Sequence, residues 1–207
     1  VTMSGSGGVT NDADISAKDS VTMTSEQGTI DNSNTVSAGT GTVTMSGKTG
    51  VVNDNASATI SAGSGVSMTS SAEGVTNSST VTSTSGTVEM DGQKTVTNTG
   101  AVTATGGSVE ISGSSVANTG AVTASGGSVT MSGDGGVTNK ANITAGTDVS
   151  MNSTTGDVET SGKIEVGNAG NRNSIAYFNF TRGFYITCFE VHGYVSSCGD
   201  ICFISNA

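Results

Sequence analysis

Residues 129–151 read VTMSGDGGVTNKANITAGTDVSM, and the fold follows from this stretch. Three short triplets, Val129-Thr130-Met131, Val137-Thr138-Asn139 and Ile143-Thr144-Ala145, pass in turn before Val149-Ser150-Met151 begins the series again. In an extended strand the first and third residues of a triplet share one face, and the middle residue takes the other. Here the outer positions are Val, Met, Ile, Asn and Ala, and the middle ones are Thr or Ser. A triplet this short cannot bury its apolar face alone, but successive copies stacked in register can.

Outward from 129–151 the same unit fills most of the chain. Repeats begin at Val1, Val21, Val43, Val66, Val88, Val109, Val129 and Val149, about 20 to 23 residues apart. The third residue of each opening triplet is Met3, Met23, Met45, Met68, Met90, Ile111, Met131 or Met151. The second triplet supplies Asn11, Asn32, Asn53, Asn77, Asn98, Asn118 and Asn139, with Thr160 in the eighth place. The third triplet closes on a small residue in most repeats, as in Ala17, Ala38, Ser83 and Ala124.

These spacings predict an all-β chain, a right-handed parallel β-helix (β-solenoid) of about eight triangular coils of 20–23 residues. At a rung spacing of about 4.8 Å, Val covers Val, Met covers Met, and small residues fit a narrow lumen. An unsatisfied buried amide costs about 1–3 kcal/mol, so the inward Asn residues are expected to form a ladder in which each amide donates to the next. Glycine pairs such as Gly106-Gly107, Gly126-Gly127 and Gly135-Gly136 are expected to give the corners positive φ.

Composition alone points elsewhere. With 31 Gly in 207 residues and only 33% hydrophobic residues, the chain looks like a disordered segment, and only the periodicity overturns that reading. The net charge of −10 speaks against nucleic acid and anionic membrane as partners. No apolar run approaches the length of a transmembrane helix, so no membrane insertion is expected.

The runs Gly135 to Met151, GGVTNKANITAGTDVSM, and Gly8 to Met23, GVTNDADISAKDSVTM, resemble the repeats of filamentous-haemagglutinin-type exoproteins. Those are bacterial two-partner-secretion adhesins, and autotransporter passenger domains carry similar repeats. The resemblance spans Val1 to about Asn173. It implies secretion and a rod displayed at the cell surface or outside the cell, with a host or cell-surface protein or a glycan as partner. The chain departs from the family in lacking a visible secretion domain. It also shows neither an initiator Met nor a signal peptide, as in a processed or excised fragment.

A boundary near Asn173 separates the solenoid repeats, 1–173, from a C-terminal segment, 174–207, that holds all five Phe, all three Tyr, all three Cys and the only His. Its β-branched and aromatic runs predict two or three strands, too few for a separate core, so it is expected to cap the last coil or to pair with another chain. Cys188, Cys198 and Cys202 allow one disulfide and leave one thiol over, with free thiols the alternative. The first repeat starts in register at Val1 with no cap, while the tail has surplus apolar surface. That pairing of deficit and surplus leads to an expectation of head-to-tail self-association.

Catalytic and cofactor motifs find little support. Gly47-Lys48-Thr49 imitates the end of a phosphate-binding loop, but Thr42 stands where the first Gly is needed. The only His is His192, so a Ser-His-Asp set has no support in the coils. Glu89 and Glu110 are outward neighbours that could bind a cation, with solvated surface charge the plainer reading. Asp134 in GDGG is similar to a calcium-binding β-roll loop, without its nonapeptide repeat. No enzyme activity and no cofactor are expected. The chain is read as a structural or adhesive protein, with an ice-binding or carbohydrate-binding solenoid as the alternative. Thr35/Ser37, Thr59/Ser61 and Thr80/Thr82 favour ice binding, and Ala101, Ala121, Asn142 and Lys163 break that array.

Overall fold

The computed structural model describes residues 1–167 throughout and, beyond them, the backbone of four strands, Ile175–Asn179, Phe184–Ile186, Val191–His192 and Tyr194–Cys198. The triplets fall in strands, and the chain winds them into three parallel sheets, a β-solenoid of about eight turns. The first sheet runs from Thr2–Gly5 to Tyr194–Cys198, the second from Val9–Asn11 to Phe184–Ile186, and the third from Ile15–Ala17 to Val191–His192. Among the described residues there is no helix. The Cys residues bear on this only slightly: Cys188 and Cys202 lie outside the described residues, and of Cys198 only the backbone is described.

Register follows residue type. In the first sheet Met3 pairs Met23, and the series continues through Met45, Met68, Met90, Ile111 and Met131 to Met151. Met23 to Met151 in this column are all buried, as are the Val or Ile residues that open the triplets of the second and third sheets from Ile30 and Val36 to Val158 and Ile164. A one-residue slip would turn every such side chain outward, so the apolar pattern fixes the pairing.

The inward Asn residues form one continuous polar ladder. The Nδ2 group of Asn11 donates to Oδ1 of Asn32 at 2.7 Å, and the same bond repeats through Asn53, Asn77, Asn98 and Asn118 to Asn139. Asn139 donates to Oγ1 of Thr160 at 3.1 Å. The second amide hydrogen has its own acceptor, the carbonyl two residues on: Asn34, Ser79, Gly100, Gly120 and Ala141 serve Asn32, Asn77, Asn98, Asn118 and Asn139. At these five positions the amide joins two coils and also closes the turn that follows its own strand.

Corners separate two uses of glycine. Positive φ occurs at Gly136 (138°), which leads into Val137, and likewise at Gly8 and Gly50 ahead of Val9 and Val51. Gly106, Gly107, Gly126 and Gly127 do not need positive φ, which corrects the expectation for those pairs. Their constraint is stacking: a Cβ on Gly107 would lie 2.4 Å from the carbonyl carbon of Gly86 in the coil below. Elsewhere a buried serine closes the corner, as where Ser25 Oγ accepts from Gly28 N at 3.0 Å and Ser153 Oγ from Gly156 N at 3.0 Å.

The aromatic segment adds strands in parallel to all three sheets. Ile175–Asn179 pairs Asp148–Asn152, Phe184–Ile186 pairs Val158–Thr160, Val191–His192 pairs the strand Ile164–Val166, and Tyr194–Cys198 pairs Ile175–Asn179.

Candidate functional site

With the interior filled by ladders, chemistry is left to the outer faces. First-sheet strands are the longest, up to six residues, and so carry two outward positions each. One outward column runs Thr2, Thr22, Thr44, Ser67, Glu89, Glu110, Thr130, Ser150. The other runs Ser4, Thr24, Ser46, Thr69, Asp91, Ser112, Ser132, Asn152. Both columns are polar at every rung. The third-sheet pairs Thr35/Ser37, Thr59/Ser61 and Thr80/Thr82 lie on a different face, where Ala101 and Ala121 interrupt one column.

A groove of about 390 Å³ opens on the first sheet. Its floor is Thr44, Ser67, Glu89 and Glu110, and Thr42, Ser64 and Thr87 line its margin. Gly65, which pairs Thr42 in the coil below, also lines the groove. A Cβ there would meet the Thr87 carbonyl at 3.0 Å. Glu89 and Glu110 sit side by side on adjacent rungs, as the sequence spacing predicts. Ser67 Oγ donates to Glu89 Oε2 at 2.9 Å, and on the neighbouring column Ser112 Oγ donates to Asp91 Oδ1 at 2.6 Å. Glu110 has no hydrogen bond or ion pair to any described residue.

Other motifs resolve into coil architecture. In Gly47-Lys48-Thr49 both amides, of Lys48 and Thr49, donate to the Gly28 carbonyl of the coil below, so neither is free to cradle a phosphate. Lys48 Nζ donates to Gln27 Oε1 at 2.9 Å, and Lys94 pairs with Glu73 at 2.6 Å along the same corner. The Asp134 carboxylate accepts from Thr154 Oγ1 at 3.0 Å. Among the described residues no group of three or more His, Cys, Asp or Glu side chains is placed to hold a metal.

Asp31 is an outward residue that sequence reasoning passes over. It stands on the second sheet between Thr10 and Val52, and its buried Oδ1 has no hydrogen-bond partner. Burial, and secondarily the charges of Asp54 and Asp12, push its carboxyl above the ordinary value of 3.8. A folded-state pKa above the unfolded one means the native state binds the extra proton. Asp31 therefore destabilises the coil fully above its raised pKa, and the penalty fades as pH falls from there toward 3.8. Asp31→Asn should stabilise the chain at neutral pH by on the order of 1 kcal/mol, with the margin over the parent shrinking on acidification. Urea midpoints of both proteins across that range check this. A constant margin would remove the charge from the explanation.

Fold and outer face together define a β-solenoid repeat protein. No protein-family model matches the chain, and no curated protein or solved structure matches it either. Among the described residues no helix is long and apolar enough to cross a membrane.

Proposed function

We propose that this chain is a secreted structural and adhesive rod, displayed at a cell surface or joined head to tail into an extracellular filament. The observation that carries the reading is the unbroken ladder from Asn11 to Thr160, flanked by the Met column. Every coil makes the same bonds to the next, so length is added without new chemistry. At about 4.8 Å per rung the eight coils extend roughly 34 Å, a stiff spacer of fixed girth. A surface rod acts through its exposed faces, and here those faces are rows of hydroxyls and carboxylates. On this reading the chain acts by shape and surface, without catalysis.

Negative-stain microscopy of the purified full chain tests the assembly. Filaments of uniform width, lengthening with protein concentration, are the expected result. Short isolated rods at every concentration would overturn head-to-tail joining and leave the rod as a spacer.

A further inference from the structure

We infer that Asn142 is a glycosylation site, the acceptor for a sugar joined through its side-chain nitrogen. This is independent of whether rods join end to end. The pattern Asn-x-Ser/Thr, with x other than Pro, marks such acceptors. It occurs four times within residues 1–167: Asn55-Ala56-Ser57, Asn77-Ser78-Ser79, Asn142-Ile143-Thr144 and Asn152-Ser153-Thr154. In a chain rich in Asn, Ser and Thr the pattern alone selects nothing, but the structure separates the four.

Three of them have the amide nitrogen occupied. Asn77 is 0% exposed, and its Nδ2 donates to Asn98 Oδ1 and to the Ser79 carbonyl within the ladder. Asn55 Nδ2 donates to the Ser33 carbonyl at 2.7 Å, while its Oδ1 accepts from Ser57 N. Asn152 is half-buried and donates to Ser150 Oγ at 3.0 Å, and the Thr154 hydroxyl of its pattern donates to Asp134. Asn142 is exposed, and of the four it alone keeps a free nitrogen. Its Oδ1 accepts from Lys163 N at 3.0 Å, and its Nδ2 has no partner among the described residues. Thr144 Oγ1 likewise makes no hydrogen bond to a described residue. With Ile143 buried between them, Asn142 and Thr144 stand on one outer face, where an enzyme meets amide and hydroxyl together.

The neighbouring coils leave room for a sugar ring. The positions matching Asn142 on the two coils below are Ala121 and Ala101, both exposed, and neither side chain projects beyond its Cβ. Beside them Thr103 and Thr123 lie in register with Thr144, so hydroxyls border the same track. The transfer takes an activated sugar, carried on a nucleotide or lipid diphosphate. Asn142 Nδ2 forms the bond to the anomeric carbon, and the bond from that carbon to the phosphate oxygen breaks. The diphosphate carrier leaves with the electron pair, and the amide gives up one proton.

Peptide mass mapping of the full chain, isolated from the cells that make it, tests the site. The expected result is added sugar on the peptide holding Asn142 and none at Asn55, Asn77 or Asn152. Hexoses added one at a time identify a nucleotide-linked donor, and a block of fixed composition a lipid-linked one. In the same cells Thr144→Ala should remove the sugar and Thr144→Ser keep it, both with the thermal melt of the unglycosylated parent chain. An unmodified Asn142 in the parent, equal occupancy at Asn55 or Asn152, or sugar that survives Thr144→Ala would each overturn the assignment. The parent measurement decides the question even if a variant folds poorly.

Discussion

Met90→Asp should lower the melting temperature of the chain by about 10–20 °C, the equivalent of roughly 5 kcal/mol for a protein of this size. Met90 is 0% exposed and lies between Met68 and Ile111 in the continuous apolar column. A carboxylate there meets no partner, and burying it charged or protonated forfeits the methionine contacts on both neighbouring coils. Solenoid stability is carried mainly between adjacent coils, so the damage should appear first as loss of protection from hydrogen exchange at residues 66–111. Thr130→Asp is the matched control, one coil above Glu110 on the outer face. It adds a like charge beside that glutamate and should cost no more than about 1 kcal/mol. Equal melting temperatures for the two variants would contradict the inward placement of the Met column.

The difference between these two positions is legible in the sequence, and the reason is physical. Inward positions admit few residue types, because each must cover its own counterpart one rung away, so Met and Asn repeat at nearly constant spacing. Outward positions have no such constraint, and there the sequence is less informative. The triplet pattern identifies one outward residue per strand, whereas the longer first-sheet strands present two, which is how the column from Ser4 to Asn152 escapes notice. The pair Glu89 and Glu110 is legible as neighbours, but the groove beneath them is not. Its lining brings together residues from successive coils, from Thr42 to Glu110, whose joint shape no single repeat shows. Asp31 is hidden for a related reason: its neighbours Asp12 and Asp54 are about a coil away in sequence, and its burial has no sequence signature. The strands after residue 173 continue the three sheets although the repeat signature stops, with Phe178 pairing Met151 and Ile186 pairing Thr160. The repeat signature of the side chains stops there, while backbone pairing in the same three sheets continues.

Asn98→Leu should destabilise the chain by about 3 kcal/mol, although leucine is far more hydrophobic and position 98 is 0% exposed. Three hydrogen bonds end on that amide. Asn77 donates to its Oδ1 at 2.8 Å, and its Nδ2 donates to Asn118 Oδ1 at 2.7 Å and to the Gly100 carbonyl at 2.9 Å. Leucine strands one donor and two acceptors in the interior, at about 1–3 kcal/mol each, against a burial gain of about 1.5–3 kcal/mol. Threonine separates the ladder from mere polarity. At the end of the row Thr160 already accepts from Asn139, so Asn98→Thr can take the Asn77 hydrogen and return its own to Asn118. It leaves only the Gly100 carbonyl unserved, and should cost about 1 kcal/mol. The order expected in thermal melts is therefore parent, then Thr, then Leu. A Leu variant as stable as the parent would mean that shape and apolarity govern this column, and the amide ladder would then be a consequence of the stack rather than one of its causes.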